Sequence, residues 1–414
     1  MTATRNAVAQ APTGGKPVVD VNETGCCIGG GGPAGAVLAL LLARKGVAVT
    51  LLESHHDFDR DFRGDTIHPS TLEVMDQIGL ADRLLERPHA KLRAAQVQAG
   101  TTTAGIDLSH LPTRFPFIAM MPQVLFLEFI VEEARKHPSF RLVMGARVDE
   151  LLTEDGEVKG VRYQAEDGAH EVRAKLVVGA DGRFSKVRML AGIEPVKSSA
   201  PMDVLWFRLP RGQSDPHGVQ GNARDGKVMI MLERPQDWQC GFIIPKGGYQ
   251  KLKADGLDVF KQRLVDLVPW LSDRVNVLDN WKHISLLSVE SSRCRRWYKP
   301  GLLLIGDAAH VMSPVGGVGI NYAIMDAVEA YNVLKGPLAS GTVTEADLAR
   351  VQKKREWPTR VIQTFQSFAQ KRVFAQGLTP GQTFRPPFFM RIGPLRKMVA
   401  RFIAFGISPA RVEE

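Results

Sequence analysis

The hydrophobic pattern changes period twice near the N-terminus. Gly25–Ile28 is a short apolar run suited to a strand buried on both faces. Ala34–Lys45 (AGAVLALLLARK) reads as a helix that stops near Gly46, and Val47–Glu53 (VAVTLLE) returns to a strand pattern. Together they predict a βαβ unit. A helix is expected over Pro69–Ile78, with Gly79 as its stop. Between Val148 and Gly179 short alternating segments are separated by Asp155-Gly156 and Asp167-Gly168, which predicts a β-meander. It runs into a buried strand, Lys175–Gly179, that ends at Ala180-Asp181-Gly182.

From about Gly192 to Val289 the pattern is β-rich. Val204–Leu209, Lys227–Leu232, Gly241–Pro245 and His283–Val289 are candidate strands, and Leu257–Val268 is a candidate helix. At Gly301 the earlier grammar returns, with an apolar strand, a glycine cluster at Gly316–Gly319 and a helix beginning near Ile320. A nucleotide-binding domain interrupted by an inserted sheet produces that order. The expected organisation is a disordered lead-in over 1–22, then the first part of the nucleotide domain over 23–190. A β-rich substrate domain over 191–290 follows, then the second part of the nucleotide domain over 291–350 and a basic helical segment over 351–414.

Composition narrows the class. Of 414 residues, 44% are hydrophobic and 23% charged, as in soluble globular enzymes. No apolar run reaches the ~18 residues that a bilayer span requires. The first twenty residues lack the apolar core of a signal peptide. Cys26, Cys27, Cys240 and Cys294 have no metal-ligand spacing, and the first two fall in a predicted buried strand, so a reduced, cytoplasmic setting is expected. The net charge of +9 resides in 351–414, where twelve Lys and Arg face three Glu. Such a segment admits contact with an acidic partner or a membrane surface. Packed amphipathic helices with solvated basic faces are the preferred reading. Arg295-Arg296 beside Trp297-Tyr298 is read as a surface turn, not a nucleic-acid contact.

Two glycine-rich loops carry the chemistry. In the first, G-x-G-x-x-G falls on Gly30, Gly32 and Gly35, for a tight turn, a close approach to pyrophosphate, and close helix–strand packing. The helix opening at Pro33 and Ala34 points its free N–H groups at phosphate. Glu53, beside Ser54, ends the second strand, where an acid accepts hydrogen bonds from a ribose. In the second loop Asp307 stands past the carboxyl end of a buried strand, placed for sugar-alcohol hydroxyls. Pro314 and Gly316–Gly319 let backbone lie flat against a planar ring, and the helix from Ile320 aims its positive end there. Two such loops, far apart in sequence, imply one extended ligand held at both ends, which is FAD.

With these residues the chain resembles the single-component (group A) flavoprotein aromatic hydroxylases of the p-hydroxybenzoate hydroxylase type, over most of 23–335. The motifs are GGGGPAG at 29–35, VVGADGRFSKVR at 177–188, and LLLIGDAAHVMSPVGGVGIN ending at Asn321. The resemblance implies a glutathione-reductase-type α/β FAD domain with an inserted β-sheet substrate domain. It implies that Arg63 and Gln123 reach the phosphate or ribityl region, and that the Val148 backbone meets adenine. It places Asp181 and Gly182 near the pyrophosphate, with Ser185 and Arg188 bracing their loop. Asp307 is given to the ribityl chain, and Gly317, Val318, Gly319, Ile320 and Asn321 to the isoalloxazine edge. Gly29 and Val318 depart from the residues common at those positions. The implied reaction is hydride transfer from NAD(P)H to FAD, addition of O2 at flavin C4a, and transfer of one oxygen from the hydroperoxide to an electron-rich, usually phenolic, carbon. A second G-x-G-x-x-G after a strand is missing, so NAD(P)H is expected to bind transiently.

For the substrate, Trp206, Met229, Met231 and Phe242 suggest an apolar, multi-ring or alkylated molecule, with Arg208 the nearby charge. Each of these is also an ordinary core residue type. Flavin halogenases share the architecture but carry W-x-W-x-I-P, and Cys240–Pro245 reads CGFIIP. Two alternatives stand beside the hydroxylase: an FAD-dependent reductase or dehydrogenase of an isoprenoid-like or quinone substrate, and a flavin-bound module docking through 351–414. His310 is expected to be structural, and His55 and His56 to face solvent.

Overall fold

Five parallel strands form the centre of the larger sheet. In space they run Leu302–Leu304, Gly168–Gly179, Val18–Gly29, Val49–Leu52 and Phe140–Val143. Numbered along the chain this is 5-4-1-2-3, the doubly wound order in which ligands bind where the strand sequence reverses. The computed structural model describes residues 18–59, 65–99, 102–234, 236–371 and 392–414. The antiparallel strands Arg147–Glu154 and Glu157–Ala165 extend the sheet through the expected meander.

The principal helices are α1 (Pro33–Arg44), α2 (Pro69–Gln77), α3 (Gln123–Ala134), α4 (Leu257–Leu267), α5 (Gly319–Ser340), α6 (Glu345–Ala369) and α7 (Gly393–Phe405). Helix α1 is buried from Ala34 to Ala43, apolar on all sides because sheet, α3 and α5 surround it. A seven-stranded sheet stands over this layer. It contains Met202–Pro210, Val219–Arg224, Lys227–Glu233 and Asp237–Pro245, edged by Ser285–Leu287. It also takes in Ala94–Ala99 and Thr102–Asp107, whose weakly apolar sequence gave no strand signal.

One expected boundary changes. The central strand already begins at Val18, inside the stretch read as a disordered lead-in, because Val21–Thr24 pair with Glu171–Ala174. The basic C-terminal segment is docked wherever it is described. Ala400 and Ala404 of α7 are buried against Leu92, Ile118 and Met120, and Phe402 packs on Phe365 of α6 at 5.2 Å between ring centroids. Beyond α7, Asn332 holds the Arg411 carbonyl at 2.7 Å and Lys335 donates to the Glu414 carbonyl at 2.7 Å. Among the described residues no helix is long and apolar enough to cross a membrane.

Candidate flavin site

The first loop is tight where backbone meets backbone and open where a ligand would lie. Gly30 has φ +108°, and a Cβ there would sit 2.5 Å from the Ala180 carbonyl oxygen. A Cβ on Gly35 would sit 2.0 Å from the Gly30 oxygen, so no side chain fits. Among the described residues nothing lies within 4 Å of a would-be Cβ on Gly32, the N-cap of α1, and no side chain caps that helix. An uncapped N-terminus beside open space suits a phosphate group. Glu53 is buried, and its Oε2 accepts from the Gly31 N–H at 2.9 Å. Its Oε1 takes the His55 N–H at 3.0 Å and lies 2.7 Å from His55 Nδ1. His55 and His56 are exposed, as is Ser54.

The middle motif clasps the other two. Ala180 meets Gly30 as described, while Arg188 donates to the Ala308 carbonyl at 2.9 Å and to the Arg183 carbonyl at 3.0 Å. Asp181 accepts from Ser185 Oγ and from the Val187 N–H at 3.0 Å, so its carboxylate is used inside its own loop. Burial pushes that carboxyl above its ordinary value, with the local hydrogen bonds opposing. Gly182 has φ +81° and open space at its Cβ position. Val148 is buried, its Cγ2 3.6 Å from where a Gly29 Cβ would stand.

In the distal loop Asp307 lies half-buried in the turn Gly306–Ala308. A Cβ on Gly306 (φ +60°) would be 3.2 Å from Ala34 Cβ, which brings this turn against the start of α1. Past Pro314, Gly316 and Gly317 take φ of +83° and +62°, and Thr66 Oγ1 donates to the Gly317 carbonyl at 2.7 Å. Helix α5 begins at Gly319 with no side-chain cap among the described residues, so the first-turn N–H groups around Ile320 have no intrahelical acceptor.

Three of the expected site residues have partners within the protein. The Asn321 side chain is buried, its Oδ1 accepting from the His68 N–H at 2.9 Å and Thr71 Oγ1 at 2.8 Å, its Nδ2 donating to the Thr66 carbonyl at 3.1 Å. That side chain ties the start of α5 to the stretch from Thr66 to Thr71. Val318 is buried with Met312, Tyr322 and Ile362. Gln123 opens α3, its N–H 3.1 Å from Asp65 Oδ1, and Asp65 in turn pairs with Arg234, just past the strand Lys227–Glu233. Arg63 lies outside the described residues.

The upper sheet separates the expected substrate residues. Met229, Met231 and Phe242 are buried on the face covered by α4, with Phe242 edge-on to Phe260 at 5.4 Å. They are core, because strand alternation sends them away from the flavin loop. Trp206 and Arg208 lie on the opposite face, where Val204, Val228, Ile230 and Ile243 pack with Val315 of the flavin loop. The Trp206 indole N–H is buried there with no hydrogen-bond partner among the described residues. His310, expected to be structural, is buried and 2.6 Å from Asp326 Oδ2.

Two uncapped helix starts, glycine loops closed against backbone but open outward, and the Glu53 and Asp307 carboxylates fit a flavin dinucleotide. Residues 23–363 match the family described as FAD binding domain, and the chain belongs to it. It is an FAD-dependent monooxygenase, an oxidoreductase acting on a small-molecule substrate. The 6-methylpretetramide 4-monooxygenase of Streptomyces rimosus is 35% identical over 404 residues, covering 96% of each chain. The rifampicin monooxygenase of Streptomyces venezuelae is 29% identical over 72% of this chain and 61% of its own. Among solved structures, PqsL of Pseudomonas aeruginosa in complex with 2-aminobenzoylacetate superposes with TM-score 0.74 at 19% identity, over 86% of this chain and 97% of that one.

Proposed function

We propose that this monooxygenase hydroxylates an apolar, multi-ring aromatic compound held between the Trp206 face of the upper sheet and the flavin loop. The observation that carries the reading is the apolar character of the Trp206 face of the upper sheet, where Val204, Val228, Ile230 and Ile243 form one cluster with Val315 of the flavin loop. The relative that acts on 6-methylpretetramide, aligned over nearly the whole chain, supports the same substrate class.

The chemistry FAD supplies when bound is two-electron reduction by NAD(P)H and activation of O2. The chain's own residues do the rest. Gly30–Gly35 and the start of α1 would hold the pyrophosphate, Glu53 the adenosine ribose, and Asp307 the ribityl chain. The N-terminus of α5 would lie toward the flavin, where its roughly half positive charge would favour negative charge on the ring. The upper sheet excludes water from the reacting centre. The lone Trp206 N–H suits an oxygen on the substrate.

The test is substrate-triggered NAD(P)H oxidation, with product mass, across 6-methylpretetramide, other fused-ring phenols, quinones and simple hydroxybenzoates. The expected result is a gain of one oxygen on a fused-ring compound. Coupled turnover confined to the simple hydroxybenzoates overturns the substrate reading.

A further inference from the structure

Behind the Asp307 turn lies a buried charged network whose Asp326 and Arg355 fall outside all three sequence motifs. Asp326, on α5, is fully buried, and His310 and Arg355 are each 2% exposed. Asp326 Oδ2 accepts from the Gly306 N–H at 3.0 Å and lies 2.6 Å from His310 Nε2. Its Oδ1 accepts from Arg355 Nε, on α6, at 2.8 Å. One carboxylate therefore grips both ends of the segment Gly306–His310 that presents Asp307. Burial alone would raise the Asp326 carboxyl, but His310 and Arg355 outweigh it and hold it below the ordinary range. Arg355 also donates to the Ser408 carbonyl at 3.4 Å, tying the C-terminal segment into the same network.

We infer that the Asp326–Arg355 ion pair sets the Gly306–Asp307 turn in its cofactor-ready shape, which makes both of them cofactor-positioning residues. The inference rests on the proposed role of Asp307 toward FAD. Neither residue needs to touch the cofactor. Asp326 fixes the turn through the Gly306 N–H, and Arg355 keeps Asp326 ionised and aimed. The glycine at 306 is part of the same device. Its positive φ sends the N–H inward to Asp326, while its lack of a Cβ lets the turn press between Ala34 and Ala323. A helix beyond the last glycine loop thus helps to build the FAD seat.

The experiment is a titration of apoprotein with FAD, followed by quenching of flavin fluorescence. Wild type is compared with Asp326→Asn, Arg355→Lys, Asp307→Asn and the double variants of Asp307→Asn with each of the other two. Arg355→Lys keeps the positive charge and carries the test if Asp326→Asn does not fold. Each single variant is expected to weaken FAD binding about tenfold or more, the scale of one charge-assisted hydrogen bond. A merely structural defect would multiply with the loss from Asp307→Asn. Positioning predicts instead that each double variant binds within about threefold of Asp307→Asn alone. Multiplicative losses, or wild-type affinity in Arg355→Lys, overturn the inference. Failure of the wild type to take up FAD would count against the cofactor reading itself.

Discussion

Acid should weaken this protein through one histidine. His68 caps the start of α2 and its ring is fully buried. Its Nδ1 lies 2.8 Å from the Ile403 carbonyl on α7, and a carbonyl only accepts, so Nδ1 carries the proton. Nε2 is buried with no hydrogen-bond partner among the described residues. A second proton would put a charge and an unmatched N–H into a dry space. Burial therefore lowers the ring from its ordinary 6.5 to about 4, with the Ile403 carbonyl opposing. Each unit is worth about 1.4 kcal/mol, so the whole shift amounts to about 3 kcal/mol. As pH falls below 6.5 the unfolded chain takes up this proton while the folded chain refuses it down to about 4. The contribution is complete above the upper value and is lost across that window. The assay is urea unfolding at several pH values, comparing wild type with His68→Gln, which keeps a donor for Ile403 but cannot titrate. Wild type should lose about 3 kcal/mol more than the variant between neutral pH and the bottom of the window. Parallel pH profiles for the two proteins would refute the reasoning.

Other substitutions separate cofactor seat from core. Asp307→Ala should purify largely as apoprotein, and normal flavin absorbance per protein would contradict the assigned role. Gly35→Ala places a Cβ 2.0 Å from the Gly30 carbonyl oxygen, so FAD content should fall to near zero, read from the same spectrum. Phe260→Ala removes a buried ring that meets both Phe207 and Phe242. It should cost about 3–5 kcal/mol in denaturant unfolding. FAD affinity in that variant should remain at the wild-type level, because the helix-covered face lies away from the flavin loop.

The cofactor loops were legible because their signal is local. Gly30, Gly32 and Gly35 must be glycines for reasons that operate within one strand–helix turn, and spacing alone displays them. Asp307 was legible for a similar reason, as an acid just past a buried strand. The substrate face was not. Alternation separates Trp206 from Phe207 and Met229 from Ile230, but it does not say which face α4 will cover. Choosing the bulky residues selected a mixture of the two faces. Asp326 and Arg355 were invisible for another reason. Their pairing joins two helices, and a lone charged residue on an amphipathic helix ordinarily points to solvent. Asn321 was noticed for its place in the flavin loop, yet its side chain serves Thr66, His68 and Thr71, contacts made by residues some 250 positions earlier in the chain.

The pairing of Val18–Gly29 with Gly168–Gly179 has a consequence for biosynthesis. The strand at the middle of the main sheet leaves the ribosome early, but one of its neighbours is translated far later, and that neighbour's own outer partner, Leu302–Leu304, later still. Until then the nascent chain carries an apolar strand with an unpaired edge, which invites self-association. FAD offers no early remedy, because one half of its binding cleft is encoded after residue 300. Slow elongation, low temperature and chaperone capacity should therefore govern soluble yield more than added flavin does.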